Sequence, residues 1–144
     1  MDRREALTAF AAVAAATAAV TARAGQHDHH HHGGLKRQAL VDSAQGCLSA
    51  GEACLAHCLV LLGDGDKEMA ACSKSVNQMM AMVETLRKLA VTDSKYLPRY
   101  AKLCAEACDD CEKECRKHDK KHAECKACGD ACATCAKECK KVAA

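Results

Sequence analysis

Aromatic side chains are almost missing from this chain: two tyrosines, one phenylalanine and no tryptophan make up 2% of the residues. A core of stacked rings is therefore excluded, and Leu, Val, Met, Ala and Cys must fill the interior. Proline occurs once and glycine eight times, too few for a loop-dominated or low-complexity chain. Charge of one sign is also lacking. The 21 basic and 19 acidic residues alternate to a net +2, which leaves no basic patch and no aromatic platform for nucleic acid. With 28% charged residues in a chain of 144, one folded domain is expected. What is abundant is cysteine, thirteen in all.

Residues 1–24 read as an export signal: Arg3 and Arg4 precede an Ala-rich apolar run over residues 6–20, and Ala22-Arg23-Ala24 offers a cleavage site after Ala24. The run is too short for a membrane span, and none is expected in the mature chain. The arginine pair resembles that of a twin-arginine (Tat) signal, with an ordinary secretory signal as the alternative. Either route takes the protein out of the cytoplasm, and a periplasmic location is expected. Residues 25–34, Gly-Gln-His-Asp-His-His-His-His-Gly-Gly, have no apolar period and read as a mobile His-rich arm.

The rest, residues 35–144, reads as four helices. The first spans residues 35–62 and stops at Gly63-Asp64-Gly65, where Asp66 can cap the second, over 67–90. Thr92, Asp93 and Ser94 are N-cap residues for a third helix, which holds Pro98 in its first turn and ends near Lys117. The fourth covers 119–142. Loops this short join antiparallel neighbours, so the fold class is all-α, an up-down-up-down four-helix bundle with a cysteine-lined core.

The cysteines stand at Cys47, Cys54, Cys58, Cys72, Cys104, Cys108, Cys111, Cys115, Cys125, Cys128, Cys132, Cys135 and Cys139, all within the predicted helices. At 100° per residue the four on the third helix stay within about 60° of one another and the five on the fourth within about 80°. Each set is one stripe. The spacing of Cys47, Cys54 and Cys58 repeats that of Cys104, Cys111 and Cys115, with Gly51 where a fourth thiol would stand. The second helix adds one thiol to an apolar wall of Met69, Val76, Met79, Val83, Leu86 and Ala90. Because the other faces of the third and fourth helices are Lys, Glu, Asp and Arg, the thiols must point inward.

Thirteen cysteines on one internal surface exceed what simple packing calls for. A disulfide scaffold suits an exported chain and is the main alternative. Against it stand the odd count and the poor bridge geometry of neighbours three or four residues apart on one helix. The Cys-x-x-Cys steps lie mid-helix, without the strand-helix setting of a redox motif. Thiolates favour soft ions. One monovalent copper(I) per thiolate would neutralise a buried column, whereas zinc wants closed tetrahedra of four ligands that straight stripes do not obviously supply. Iron–sulfur spacing is absent. A zinc-thiolate buffer stays open beside copper(I). No paired carboxylates, base-activated nucleophile or open His-rich centre marks an enzyme.

These residues resemble the bacterial copper storage proteins. The resemblance rests on Cys54-x-x-x-Cys58, Cys72, the run from Cys104 to Cys115, and Cys125-Lys-Ala-Cys128-Gly-Asp-Ala-Cys132-Ala-Thr-Cys135-Ala-Lys-Glu-Cys139. It implies a four-helix bundle storing about one copper(I) per cysteine, a tetramer among exported members, and an unidentified protein that accepts the copper.

In the expected topology Cys58, Cys72, Cys115 and Cys125 lie at one end with the first and third loops. Leu40, Val83, Leu86, Leu97, Tyr100 and Leu103 form a dry plug at the other. Copper is expected to enter at the thiol-rich end, where His57, Met69, His118 and His122 are accessory ligands. Cleavage after Ala24 would place His27 third from the new terminus, a nitrogen set suited to square-planar copper(II).

Overall fold

The computed structural model describes residues 36–144. The expected export signal and the His-rich arm with His27 lie outside the described residues. Four helices follow: α1 (Gln38–Gly63), α2 (Met69–Val91), α3 (Leu97–Arg116) and α4 (Ala123–Ala143). Consecutive helices pack together and α4 returns to α1, closing an antiparallel ring. The inner face is the one set by the apolar and thiol periodicity. On α2 it consists of Met69, Cys72, Val76, Met79, Val83, Leu86 and Ala90, all buried. Among the described residues no polar or charged side chain is buried with it.

The turns explain where each helix stops. After α1 the backbone reverses through Gly65 at φ 95°, a left-handed conformation that favours glycine. The Gly65 and Asp66 N–H groups return to the Leu62 and Leu61 carbonyls at 3.1 and 2.9 Å. The Asp66 carboxylate then accepts the Glu68 N–H at 3.1 Å, two residues before it could cap α2 itself. Asp93 makes the same reversal at φ 43°, and its carboxylate is held by Lys36 at 2.8 Å and Arg37 at 3.5 Å. Thr92 belongs to the end of α2 rather than the start of α3, because its hydroxyl donates back to the Lys88 carbonyl at 3.1 Å. Ser94 prepares α3 by accepting the Tyr96 N–H on its hydroxyl, and Pro98 sits in the first turn. α4 starts at Ala123 rather than Asp119. Residues 117–121 form turns, and His122 is extended.

The end opposite the first and third loops is closed by Leu40, Val83, Leu86 and Leu97, all buried. Tyr100 is only partly buried, its hydroxyl donating to the Met82 carbonyl at 3.2 Å. Leu103 is not part of the plug. One residue before Cys104, it is turned about 100° from the inward stripe and is 53% exposed.

α1 is the least polar helix outside as well as inside. An 18-residue window in it has mean hydropathy 1.5, long and apolar enough by composition to cross a membrane, and only 22% of that window is buried. Leu59 and Val60 stand 56% and 63% exposed on it.

Candidate metal site: a column of buried thiols

All thirteen cysteines are fully buried and free, so among the described residues none is committed to a disulfide. α1 delivers Cys47, Cys54 and Cys58, α2 Cys72, α3 four thiols and α4 five, each stripe facing the bundle axis. The repeat on α1 breaks at Gly51 for a packing reason. A Cβ there would lie 2.9 Å from Met80 Cγ and 3.1 Å from Met79 Cε, so the Met79 and Met80 side chains of α2 occupy the space a fourth thiol would need. At Gly129 on α4, the Arg116 guanidinium lies where a side chain would project, 3.3 Å from a would-be Cβ, and it pairs with Glu112 and Asp130.

Across helices the sulfurs converge in four groups whose members lie within 4.8 Å of one another: Cys54, Cys58, Cys72 and Cys125; Cys54, Cys115 and Cys128; Cys111, Cys128 and Cys132; Cys47, Cys108 and Cys135. Cys54 and Cys128 each belong to two groups. Cys47 and Cys132, 3.8 Å apart, join the last two. The result is a continuous path of sulfur from the loop end into the middle of the bundle. Cys104 and Cys139 lie beyond it in no group.

Burial raises the proton affinity of two thiols at the loop end. The Cys58 thiol is pushed up to about 12, first by desolvation and then by neighbouring Cys72 and Cys125. Cys125 is pushed up to about 11, again by desolvation first and then by Cys72. Cys58 and Cys125 therefore keep their protons at neutral pH, and a cation that binds them must displace these, while Cys72 beside them is held down to about 3 by hydrogen bonds from Cys115 and then Cys54. A monovalent ion that replaces a proton leaves the charge of the column unchanged, which suits a site with no buried counter-charge.

The four accessory residues do not behave alike. His57 Nε2 lies 3.0 Å from His122 Nδ1, and Glu124 stands 3.7 Å from the same His57 nitrogen. This pair joins the last turns of α1 to the start of α4, one residue before Cys58 and three before Cys125. Met69 is fully buried one turn before Cys72. His118 is partly buried in the third loop, with a backbone carbonyl that accepts the Lys121 and His122 N–H groups. Sequence reasoning treated Met79 as plain core. Its thioether instead accepts the Cys47 thiol at 3.3 Å, making it a further soft donor on the column. Met79 is two turns beyond Cys72 on the same α2 stripe, but nothing in the sequence shows which α1 residue lies opposite.

Residues 34–144 match the copper storage protein family. The chain belongs to that family. Copper storage protein 3 from Bacillus subtilis, in its apo form, is similar in structure with a TM-score of 0.66 and 31% identity over 74% of this chain and 98% of that one. The Cu(I)-bound copper storage protein BsCsp3 gives 0.66 and 30%, over 74% and 97%. A protein from Nitrosospira multiformis, at 24% identity and a TM-score of 0.63, shares the fold. No curated protein sequence matches. Family membership and the clustered thiols together support copper storage as this protein's general role and copper as what it binds.

Proposed function

We propose that the thirteen thiolates of the bundle store copper(I) at about one ion per cysteine, outside the cytoplasm and without catalysis. The observation that carries this is the continuity of the column. Fully buried, unpaired thiols share members from group to group, so ions can be bridged along it rather than held in isolated sites. Copper enters at the end with the first and third loops. There His57, His122 and Met69 offer borderline and soft donors ahead of Cys58, Cys72 and Cys125, and His118 stands in the adjoining loop. Copies associate through the outer face of α1, whose charged side chains over 26 residues are Asp42 and Glu52. A Val60→Glu substitution is expected to shift sedimentation toward the monomer.

The deciding experiment is anaerobic titration of the reduced mature protein with copper(I) against a chromophoric chelator, with helicity followed by circular dichroism. Saturation near one copper per thiol, with the helices already present in the apoprotein, is expected. Saturation after three or four ions, or few free thiols at the outset, would overturn the proposal in favour of a zinc-thiolate or disulfide protein.

A further inference from the structure

The four groups of converging thiols differ in one respect that copper storage does not explain. Three contain three sulfurs. The fourth, at the loop end, contains four: Cys54 and Cys58 from α1, Cys72 from α2 and Cys125 from α4. Straight stripes on single helices do not suggest a closed tetrahedron, but three helices brought together supply one. Cys54 Sγ lies 4.0 Å from Cys58 Sγ and 3.9 Å from Cys125 Sγ, and every pair in the group is within 4.8 Å. A zinc ion held by four thiolates at about 2.3 Å requires sulfur–sulfur edges of about 3.8 Å. The edges seen here need to contract by tenths of an ångström to at most about 1 Å, a change that side-chain torsions can absorb.

We propose that Cys54, Cys58, Cys72 and Cys125 form a tetrahedral site for a single divalent zinc ion in the copper-free protein, and that this ion closes the loop end of the column. Four thiolates around one Zn²⁺ leave the site with a net charge of −2, and the protons the thiols held pass to solvent. The ion ties α1, α2 and α4 together where the thiols are densest. The remaining groups hold three sulfurs each, one short of the closed tetrahedron that zinc prefers. Copper(I) reverses the closure. Zinc leaves as Zn²⁺, monovalent ions occupy the four thiolates one for one, and the charge at the site returns from −2 to neutral. That gain, with the preference of thiolates for copper(I), sets the direction of exchange. The zinc site stands on geometry alone, while the exchange step rests on the copper(I) reading above.

The test uses the full mature chain, reduced, metal-free and anaerobic, with cobalt(II) as the spectroscopic probe. One equivalent of cobalt(II) is expected to give the intense visible bands of a tetrahedral tetrathiolate centre, with an end point at one ion, and zinc(II) should bleach them. Cys72→Ser and Cys125→Ser should each abolish the bands while circular dichroism stays helical. Cys139→Ser, outside all four groups, loses copper capacity but should keep them. Copper(I) added to the zinc-loaded protein should release one zinc to a chromophoric chelator. An absent band, an end point of several ions, or equal loss in the Cys139→Ser variant would overturn the zinc site. If that failed while copper(I) still filled the thiols one for one, the store would stand without the zinc site. A cobalt band with low copper capacity would do the reverse.

Discussion

The two ends of the bundle are built from the same four helices and do opposite things. At the loop end Cys54, Cys58, Cys72 and Cys125 converge under the His57–His122 pair, with no large aliphatic side chain between them. At the other end Leu40, Val83, Leu86 and Leu97 fill the cross-section, and the last thiols, Cys104 and Cys139, join no group. A cross-section filled with thiols for metal has no room for the aliphatic packing that holds four helices together. Placing the chemistry at one end and the aliphatic packing at the other lets the apoprotein fold before any metal arrives. The same comparison explains α2, which gives one thiol near the loop end and apolar packing along the rest of its length.

The sharpest way to break this division is to damage the closed end. Leu86→Ala is expected to destabilise the apoprotein by about 2–5 kcal/mol, because it leaves a cavity under a fully buried side chain. Copper capacity of the folded fraction should not change. Chemical denaturation of the apo and loaded forms checks this, and a loss of capacity larger than the loss of folded protein would show that the ends are not separable.

Alkaline pH probes the other end. Cys58 and Cys125 have folded values of about 12 and about 11, above the ordinary thiol value of 9.0. An unfolded chain loses those protons first. On account of these two thiols the stability of the apoprotein should fall from about pH 9 until about pH 11 to 12, by roughly 1.4 kcal/mol per pH unit for each of them still protonated in the fold. Copper-loaded protein has no such protons to lose, so its stability should stay level over the same window. Parallel denaturation series at several pH values distinguish the two.

Gly51 lies between the regions. Gly51→Ala should cost about 1–3 kcal/mol, since its methyl would press on Met79 and Met80, despite the better helix propensity of alanine. A neutral or stabilising result would mean that the Met79 and Met80 side chains swing aside freely.

The smallest effects concern rate. Cys58→Ser or Cys125→Ser should slow copper(I) uptake and lower capacity by about one ion, whereas Cys139→Ser should lower capacity equally with uptake unchanged. Stopped-flow transfer from a chromophoric copper(I) complex reads both, and equal slowing in all three variants would place the entrance elsewhere.

Much of this architecture was legible beforehand. A helical period of 100° makes a stripe of cysteines opposite a face of Lys and Glu an inward stripe, and the nine cysteines of α3 and α4 obeyed that rule. Helix ends were less legible. Thr92 bonds backward, and residues 117–121 turn before α4 begins, because local hydrogen bonding competes at such sites among several acceptable partners. Leu103 went astray since hydrophobicity alone does not say which side of a helix a residue occupies.

The sequence by itself determined the four helices, their inward faces, the family and the end at which thiols crowd, because all of these follow from spacing along one chain. Only the tertiary structure decided which sulfurs meet. Grouping Cys54 with Cys72 and Cys125, setting Met79 beside Cys47, and bringing His57 to His122 across 65 residues all depend on the relative height and rotation of neighbouring helices. Those are set by how side chains interdigitate between helices, which spacing within a single helix does not encode.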